Sequence, residues 1–104
     1  MTAQGSAATR FRRAVERKSL LNAELAAREM GRLGLEDALS LVLLYAGADD
    51  PRFDRAATRW IARFCVEGKP SLSELQAAVS ALALLRRGGG EAAAHLLVGL
   101  SRNG

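Results

Sequence analysis

The apolar residues of this chain recur every three or four positions over most of its length, which is the period of an amphipathic helix. Glycine, proline or serine stands near most boundaries between the periodic segments, as is usual at helix ends. We predict helical segments at residues 7–18, 20–30, 35–46, 51–66, 72–86 and 91–102. The pattern therefore predicts an all-α fold, a compact single-domain bundle of five or six helices arranged as αα-hairpins.

The number of helices depends on whether residues 7–30 form one helix or two. No glycine or proline interrupts this stretch, so we favour one long helix that bends near Ser19, with two helices as the alternative. Ser6 is the candidate N-cap at its beginning. Residues 1–6 are expected to be disordered, which leaves residues 7–104 as the helical domain.

The segment 35–46 is apolar around nearly its whole circumference, with a narrow polar strip near Asp37 and Ser40. A helix of this kind is buried, so we place it at the centre of the bundle. Asp50 and Pro51 then mark the start of the fourth helix, as its cap and its first residue. The predicted core stripe of that helix consists of Phe53, Ala57, Trp60, Ile61 and Phe64.

The last two helices carry clear signals at their beginnings. Ser71 and Glu74 have the spacing of a capping box, which starts the helix 72–86. The residues predicted to face inward on this helix are Leu72, Leu75, Val79 and Leu82. The glycines at 88–90 predict a flexible hinge, which would allow the last helix to move or to exchange between protomers. The last helix is predicted to place on one face Ala93, Leu96, Leu97 and Leu100.

Composition supports the helical class and leaves the partner open. The 104 residues include twenty alanines and seventeen leucines, both strong helix formers. A formal net charge of +4 and a pI of about 10.2 suit an acidic partner such as nucleic acid without requiring one. Thirteen arginines stand against two lysines, a ratio that codon bias in a high-GC bacterium explains as readily as selection for guanidinium chemistry does.

Two rows of arginines at helical spacing stand out from this composition. The first ridge consists of Arg10, Arg13 and Arg17, and the second ridge of Arg52, Arg55, Arg59 and Arg63. Guanidinium groups bind pairs of phosphate oxygens, so each ridge is a candidate contact for nucleic acid or for a partner protein. The alternative is a solvated face on which the arginines pair with carboxylates, for which the candidates are Glu36, Asp37 and Glu67.

Residues able to act as nucleophile or base are few and scattered. His95 and Cys65 fall on different predicted helices, and a nucleophile requires a base within hydrogen-bond reach. Glu91, one turn before His95, is its candidate surface partner, and Cys65 is expected to pack at the edge of the core. One histidine and one cysteine do not make a usual zinc site. We therefore predict no catalytic, cofactor-binding or metal-ligating residues, and no enzyme activity.

The N-terminal sequence and the lengths of the apolar runs bear on location. The stretch MTAQGSAATRFRR lacks the apolar core of a secretory signal. The longest uninterrupted apolar run, 41–46, is far shorter than the roughly 20 residues that span a bilayer. A single cysteine is compatible with a reducing compartment. We therefore expect a cytoplasmic protein without membrane contacts.

Three segments carry a resemblance to known sequences: LEDAL at 35–39, DPRFDRAATRW at 50–60 and LSELQ at 72–76. Together they resemble a recurring core of small uncharacterised all-helical proteins of high-GC actinobacteria, and the resemblance spans most of residues 10–86. It implies one helical domain of conserved length and a cytoplasmic bacterial setting. It implies no activity, because none can be carried over from that group.

Two functions are consistent with these observations. The first is a non-enzymatic interaction module that binds a protein partner or self-associates, through the groove lined by the last two helices and the first helix. The second is a nucleic-acid-binding protein that uses both ridges on one continuous surface, an idea that fails if Arg52, Arg55 and Arg59 are each paired with a carboxylate. Neither function requires a cofactor or a small-molecule substrate. A helix-turn-helix through Gly47 fits poorly, since Leu43 occupies the position that needs a small residue.

Overall fold

Residues 6–88 and 90–103 of the chain are described by a computed structural model, and this part contains six α-helices and no strand. The helices are α1 (Ala7–Glu16), α2 (Leu20–Met30), α3 (Leu35–Gly47), α4 (Phe53–Arg63), α5 (Leu72–Arg86) and α6 (Glu91–Asn103). A π-helical turn, Phe64–Gly68, continues α4. Consecutive helices pack as three hairpins, α1–α2, α3–α4 and α5–α6, which confirms the predicted all-α bundle.

The prediction of one continuous helix over residues 7–30 is wrong. Lys18 adopts a left-handed backbone conformation with φ of 57°, and the chain reverses there between α1 and α2. The reversal buries Phe11 and Ala14 of α1 against Ala23 and Ala26 of α2. A non-glycine residue in this conformation costs about 1–2 kcal/mol, and burial of a phenyl ring offsets that cost.

The beginning of α1 follows the sequence prediction. Ser6 has an extended backbone, and its hydroxyl accepts a hydrogen bond from the Thr9 amide at 3.2 Å, which confirms Ser6 as the N-cap. Residues 1–5, for which disorder is expected, lie outside the described residues, as do Gly89 of the predicted hinge and Gly104.

The central position of α3 is confirmed, because this helix packs against every other α-helix of the described chain. Its two faces belong to different cores. Leu39 and Val42 are buried in the main core with residues of α4, α5 and α6. Leu41 and Leu44 pack on the smaller core inside the α1–α2 hairpin. This division explains why the sequence of α3 is apolar nearly all round.

The predicted core stripe of α4 is confirmed, and Trp60 is its anchor. Trp60 is 2% exposed, and its ring stacks on Phe64 with centroids 5.0 Å apart and an interplanar angle of 12°. The indole Nε1 donates a hydrogen bond to the Leu35 carbonyl at 2.9 Å. This bond satisfies the one polar atom of the ring and fixes the position of α4 on α3.

The start of α4 differs from the prediction by two residues. Pro51 and Arg52 form a turn, and the helix begins at Phe53. Asp50 still accepts a backbone hydrogen bond, from the Arg52 amide to its Oδ1 at 2.8 Å. The carboxylate therefore closes the turn before the helix instead of capping the helix itself.

Helix α5 has the predicted bounds, and its capping box is present. The Ser71 amide donates to Glu74 Oε1 at 2.8 Å, and the Glu74 amide donates to the Ser71 hydroxyl at 3.1 Å. The predicted inward face is correct for Leu82, which is buried, and for Leu75, which packs against the core. It is wrong for Leu72 and Val79, which are 83% and 48% exposed. The other buried residues of α5 are Ala78 and Ala81, which let its backbone approach its neighbours closely and leave Leu72 and Val79 facing outward.

The inward face of α6 agrees with the prediction in part. Ala93 and Leu97 are buried in the main core, and Leu100 packs against it. Leu96, predicted on the same face, is 44% exposed, and Ser101 takes a buried position instead. The Ser101 hydroxyl donates to the Val98 carbonyl at 2.9 Å, so its burial leaves no unmet hydrogen bond.

We expect Trp60→Phe to lower the free energy of unfolding by about 1–3 kcal/mol, because the variant loses the indole hydrogen bond and leaves a small cavity. Urea unfolding followed by circular dichroism measures this change. Cys65→Ser, on an exposed side chain in the following turn, serves as the control and should stay within about 0.5 kcal/mol of the parent. Equal stabilities of the Trp60→Phe variant and the parent would contradict the anchoring role of this residue.

The orientation of α5 gives a second prediction. Ala78→Leu adds bulk to a fully buried position and should destabilise the protein by about 1–3 kcal/mol. Ala83→Leu makes the same chemical change on the exposed side of the same helix and should leave stability nearly unchanged. Thermal unfolding of both variants measures the two changes in stability. A larger loss in Ala83→Leu than in Ala78→Leu would favour the orientation that the sequence predicts.

Candidate functional site

Arg52, at one end of the second ridge, is held by two carboxylates from different parts of the chain. Its guanidinium binds Glu24 of α2 at 2.8 Å and Asp50 at 2.9 Å. It also lies over the Tyr45 ring, 5.0 Å from the centroid, while the Tyr45 hydroxyl donates to Glu24 at 2.8 Å. Arg52 therefore links α2 to the α3–α4 turn.

The ionisation of these groups reflects this arrangement. The hydrogen bond from the Arg52 side chain is the main cause that lowers the pKa of Asp50 to about 2, and the same bond raises the pKa of Arg52. Burial, followed by the hydrogen bond to Glu24, raises the pKa of Tyr45. All three groups are therefore held in their ordinary ionisation states near neutral pH, as in a structural cluster.

Arg63, at the other end of the second ridge, pairs with Glu67 in the π-helical turn. Its Nε lies 2.8 Å from Glu67 Oε2, and Arg32 reaches the same oxygen at 3.0 Å from the α2–α3 turn. The Arg63 hydrogen bond chiefly lowers the pKa of Glu67. Glu67 is thus a partner as predicted, whereas Glu36 pairs instead with Arg102 at 2.7 Å.

The middle of the second ridge is different. Arg55 and Arg59 are exposed, and within residues 6–88 and 90–103 neither forms an ion pair. Asp54 beside them pairs with Arg86 at 3.1 Å. The ridge therefore consists of two structural arginines at its ends and two solvent-facing arginines between them.

The first ridge is divided in a similar way. Arg10 makes two hydrogen bonds of 2.7 Å to Glu29, which tie α1 to α2. These bonds lower the pKa of Glu29 and raise the pKa of Arg10. Arg13 and Arg17 are exposed and make no ion pair with any described residue.

Helix α2 adds a cation to this surface that sequence reasoning missed. Arg28 lies four residues after Glu24, which is the spacing of a helical ion pair, but Glu24 binds Arg52 and Tyr45 instead. In the part of the chain that the structure describes, Arg28 has no carboxylate within ion-pair distance. It lines the same groove between α1 and α2 as Arg13 and Arg17, a groove of about 570 Å³.

Two large apolar side chains are exposed on the same helix. Leu21 is 68% exposed and Leu25 is 47% exposed, and Leu25 also lines the groove. The two lie four residues apart and therefore share the outer face of α2. The α1–α2 basic face, as we name it, consists of Arg13, Arg17, Arg28, Leu21 and Leu25. The four-residue spacing of Leu21 and Leu25 places them on one face of α2. The sequence does not show that this face points outward, because the orientation of α2 depends on the turn at Lys18.

Charge is concentrated in this hairpin. Residues 6–30 contain six basic side chains and three carboxylates, a net charge of +3 out of the +4 of the whole chain. Helix α1 packs chiefly on α2 and α3, whereas α4 packs chiefly on α3 and α5. The helices of the two ridges thus do not lie side by side as a single basic surface would require.

The structure does not bring together the two candidate residues for nucleophile and base chemistry. His95 on α6 and Cys65 in the π-helical turn are both exposed. The expected packing of Cys65 at the edge of the core is wrong, because Phe64 takes the buried position and the next residue faces solvent. The described residues contain no ion pair between Glu91 and His95 and no group of three side chains suited to hold a metal.

The helices of the described part lack the combination of length and apolar character that a bilayer crossing requires. No protein-family model matches the chain, and no similar protein is found among curated proteins or among solved structures.

The Asp50 cluster gives a prediction for pH dependence. Because its pKa of about 2 in the folded protein lies below the ordinary value of 3.8, Asp50 stabilises the fold fully above about pH 4, and this stabilisation is lost as the pH falls through 2. Asp50→Asn should therefore lower the free energy of unfolding at neutral pH. As the pH falls into the acid range, this free energy should decrease less steeply in the variant than in the parent. Urea midpoints measured across the acid range test this.

Asp49→Asn is the matched control, since this neighbouring exposed carboxylate makes no ion pair with a described residue. Its urea midpoints should change with pH in the acid range as those of the parent do. If Asp50→Asn keeps that dependence as well, the ion pair between Asp50 and Arg52 contributes nothing to the stability of the fold.

Proposed function

We propose that this chain is a non-enzymatic helical interaction module that binds a partner protein through its α1–α2 basic face. The observation that carries the proposal is the combination on one hairpin of exposed leucines with arginines that lack an ion pair among the described residues. The partner segment that fits this chemistry is an amphipathic helix with apolar residues on one face and carboxylates along its edges.

The leucines would supply most of the affinity. Full burial of a leucine side chain is worth about 1.5–3 kcal/mol, whereas an exposed ion pair typically contributes about 0.2–1 kcal/mol. Leu21 and Leu25 therefore outweigh the arginines in energy. Arg13, Arg17 and Arg28 would instead orient the partner, speed its approach and disfavour basic segments.

Nucleic acid is the second candidate, favoured by Arg55 and Arg59 of α4, which are exposed and have no ion pair among the described residues, in addition to the first ridge. Against it, Arg10, Arg52 and Arg63 are already bound by carboxylates. Phosphate binding also gives no role to the exposed leucines. The partner protein is therefore the better-supported function.

The proposal is tested by titrating the isotope-labelled full chain with an acidic amphipathic peptide of about 15 residues, long enough to form a helix. The peptide carries leucines at helical spacing flanked by glutamates, and a scrambled peptide of the same composition is the reference. We expect chemical-shift changes confined to α1 and α2. Leu21→Ser/Leu25→Ser and Arg13→Gln/Arg17→Gln/Arg28→Gln should each weaken binding by about tenfold, or 1.4 kcal/mol.

Arg55→Gln/Arg59→Gln removes two exposed arginines elsewhere and should leave peptide affinity unchanged. Equal binding of the scrambled peptide, or shift changes outside the hairpin, would contradict the proposal. Duplex DNA serves as the competing probe. Tight DNA binding that falls steeply with salt, and that the leucine variant does not weaken, would establish the nucleic-acid function instead.

A further inference from the structure

A cleft of about 340 Å³ follows the seam between α3 and α4, and Leu33 of the α2–α3 turn also lines it. We name it the α3–α4 cleft. Its residues on α4, spaced by three, one and three so that they share one face of the helix, are Ala56, Arg59, Trp60 and Arg63. The cleft residues of α3, at 38, 41, 42 and 45, have the same spacing. Ala38 and Ala56 are small, so the seam stays open where larger side chains would close it.

The walls of the α3–α4 cleft are mainly apolar. Leu33 and Leu41 line it and are only partly buried, so some of their apolar surface is left to solvent. The buried Trp60 ring lines it as well. Ligand pockets of proteins have volumes of about 300–1,000 Å³, and this cleft lies at the small end of that range. A docked helix is about 10 Å across and needs a longer groove, so the size suits a small molecule better.

The charged residues that line the cleft within the described part of the chain are all arginines: Arg32, Arg59 and Arg63. Glu67 holds two of them, Arg32 at 3.0 Å and Arg63 at 2.8 Å. Arg59 is exposed and forms no ion pair among the described residues. Three guanidinium groups thus share one carboxylate, which leaves an excess of positive charge at the cleft. Arg59 is the group that is available to an added anion.

Walls and charge together define the chemistry of a ligand. The apolar walls favour a hydrocarbon body, because its transfer out of water stabilises the complex. The planar guanidinium fork of Arg59 matches a carboxylate, since it can donate two parallel hydrogen bonds to the two carboxylate oxygens. A phosphate group is better matched by a cluster of free arginines than by a single one. The cleft therefore suits an apolar molecule with one carboxylate.

We propose that the α3–α4 cleft binds a small organic acid, with its hydrocarbon body against Leu33, Leu41 and Trp60 and its carboxylate on Arg59. The inference is independent of the partner proposed for the α1–α2 basic face, because no residue of that face lines the cleft. It adds a ligand to the interaction module and requires no catalysis.

Titration of the full chain with octanoate tests this proposal, followed by the fluorescence of Trp60, the one tryptophan of the chain. The neutral alcohol 1-octanol has the same number of carbons without the charge, and acetate has the charge without the hydrocarbon body. We expect octanoate to bind with a dissociation constant of about 1 mM. It should bind at least about fivefold more tightly than 1-octanol, because only the carboxylate pairs with Arg59. Acetate should leave the fluorescence unchanged.

Two variants on α4 separate the charge from the cavity. Arg59→Gln should weaken octanoate binding by about fivefold and leave 1-octanol binding unchanged. Arg55→Gln is the matched control, because Arg55 is also exposed, has no ion pair among the described residues and does not line the cleft. It should leave both affinities unchanged. Ala56→Leu fills the cleft and should weaken both ligands by at least about tenfold, with thermal unfolding as the check that the variant folds.

Equal affinities of octanoate and 1-octanol, or equal effects of the two glutamine variants, would overturn the proposal. Chemical shifts of the isotope-labelled chain locate the site, and we expect octanoate to change them at Leu33, Leu41 and Ala56. Changes confined to the α1–α2 basic face, which also combines leucines with arginines, would overturn it as well. If Ala56→Leu does not fold, the comparison of Arg59→Gln with Arg55→Gln decides, because both side chains are exposed.

Discussion

Trp60 lies almost fully buried between α4 and α3, with its ring stacked on Phe64 and its indole N–H bonded to the Leu35 carbonyl. An indole N–H withdrawn from water needs an acceptor, so the depth and rotation of α4 on α3 are fixed together. The other α-helices of the described chain all contact α3. The arrangement of the main core therefore depends on the position that this one ring gives to the α3–α4 pair.

The electrostatics of the molecule divides between structure and surface. Arg10 connects α1 to α2 through Glu29, and Arg52 connects the start of α4 to α2 through Glu24. At the other end of α4, Arg63 pairs with Glu67, which also binds Arg32 of the α2–α3 turn. Of the seven exposed arginines without an ion pair among the described residues, four lie on the α1–α2 hairpin, beside exposed leucines, and three lie elsewhere. Helix α5, by contrast, carries no charged residue from 75 to 85.

The sequence was sufficient for the class, the central helix, the core stripe of α4 and the capping box of α5, because each rests on local periodicity or local hydrogen bonding. It was insufficient for the turn at Lys18, which no glycine marks and which the burial of Phe11 stabilises. The α1–α2 basic face was missed as a consequence, because Arg13 and Arg28 line one groove only after the chain reverses. The outward positions of Leu72 and Val79 on α5 were missed because close packing of Ala78 outweighs the larger apolar area of Val79.

The π-helical turn Phe64–Gly68 has a consequence for how the chain tolerates changes in length. Each residue of a regular α-helix advances the direction of the side chain by about 100°. Deleting one residue between Phe64 and Glu67 would rotate the carboxylate by that angle, away from both Arg63 and Arg32. A substitution in this turn alters one side chain, whereas an insertion or deletion breaks both ion pairs of Glu67 at once. The turn therefore depends on its number of residues as well as on the identities of Phe64 and Glu67.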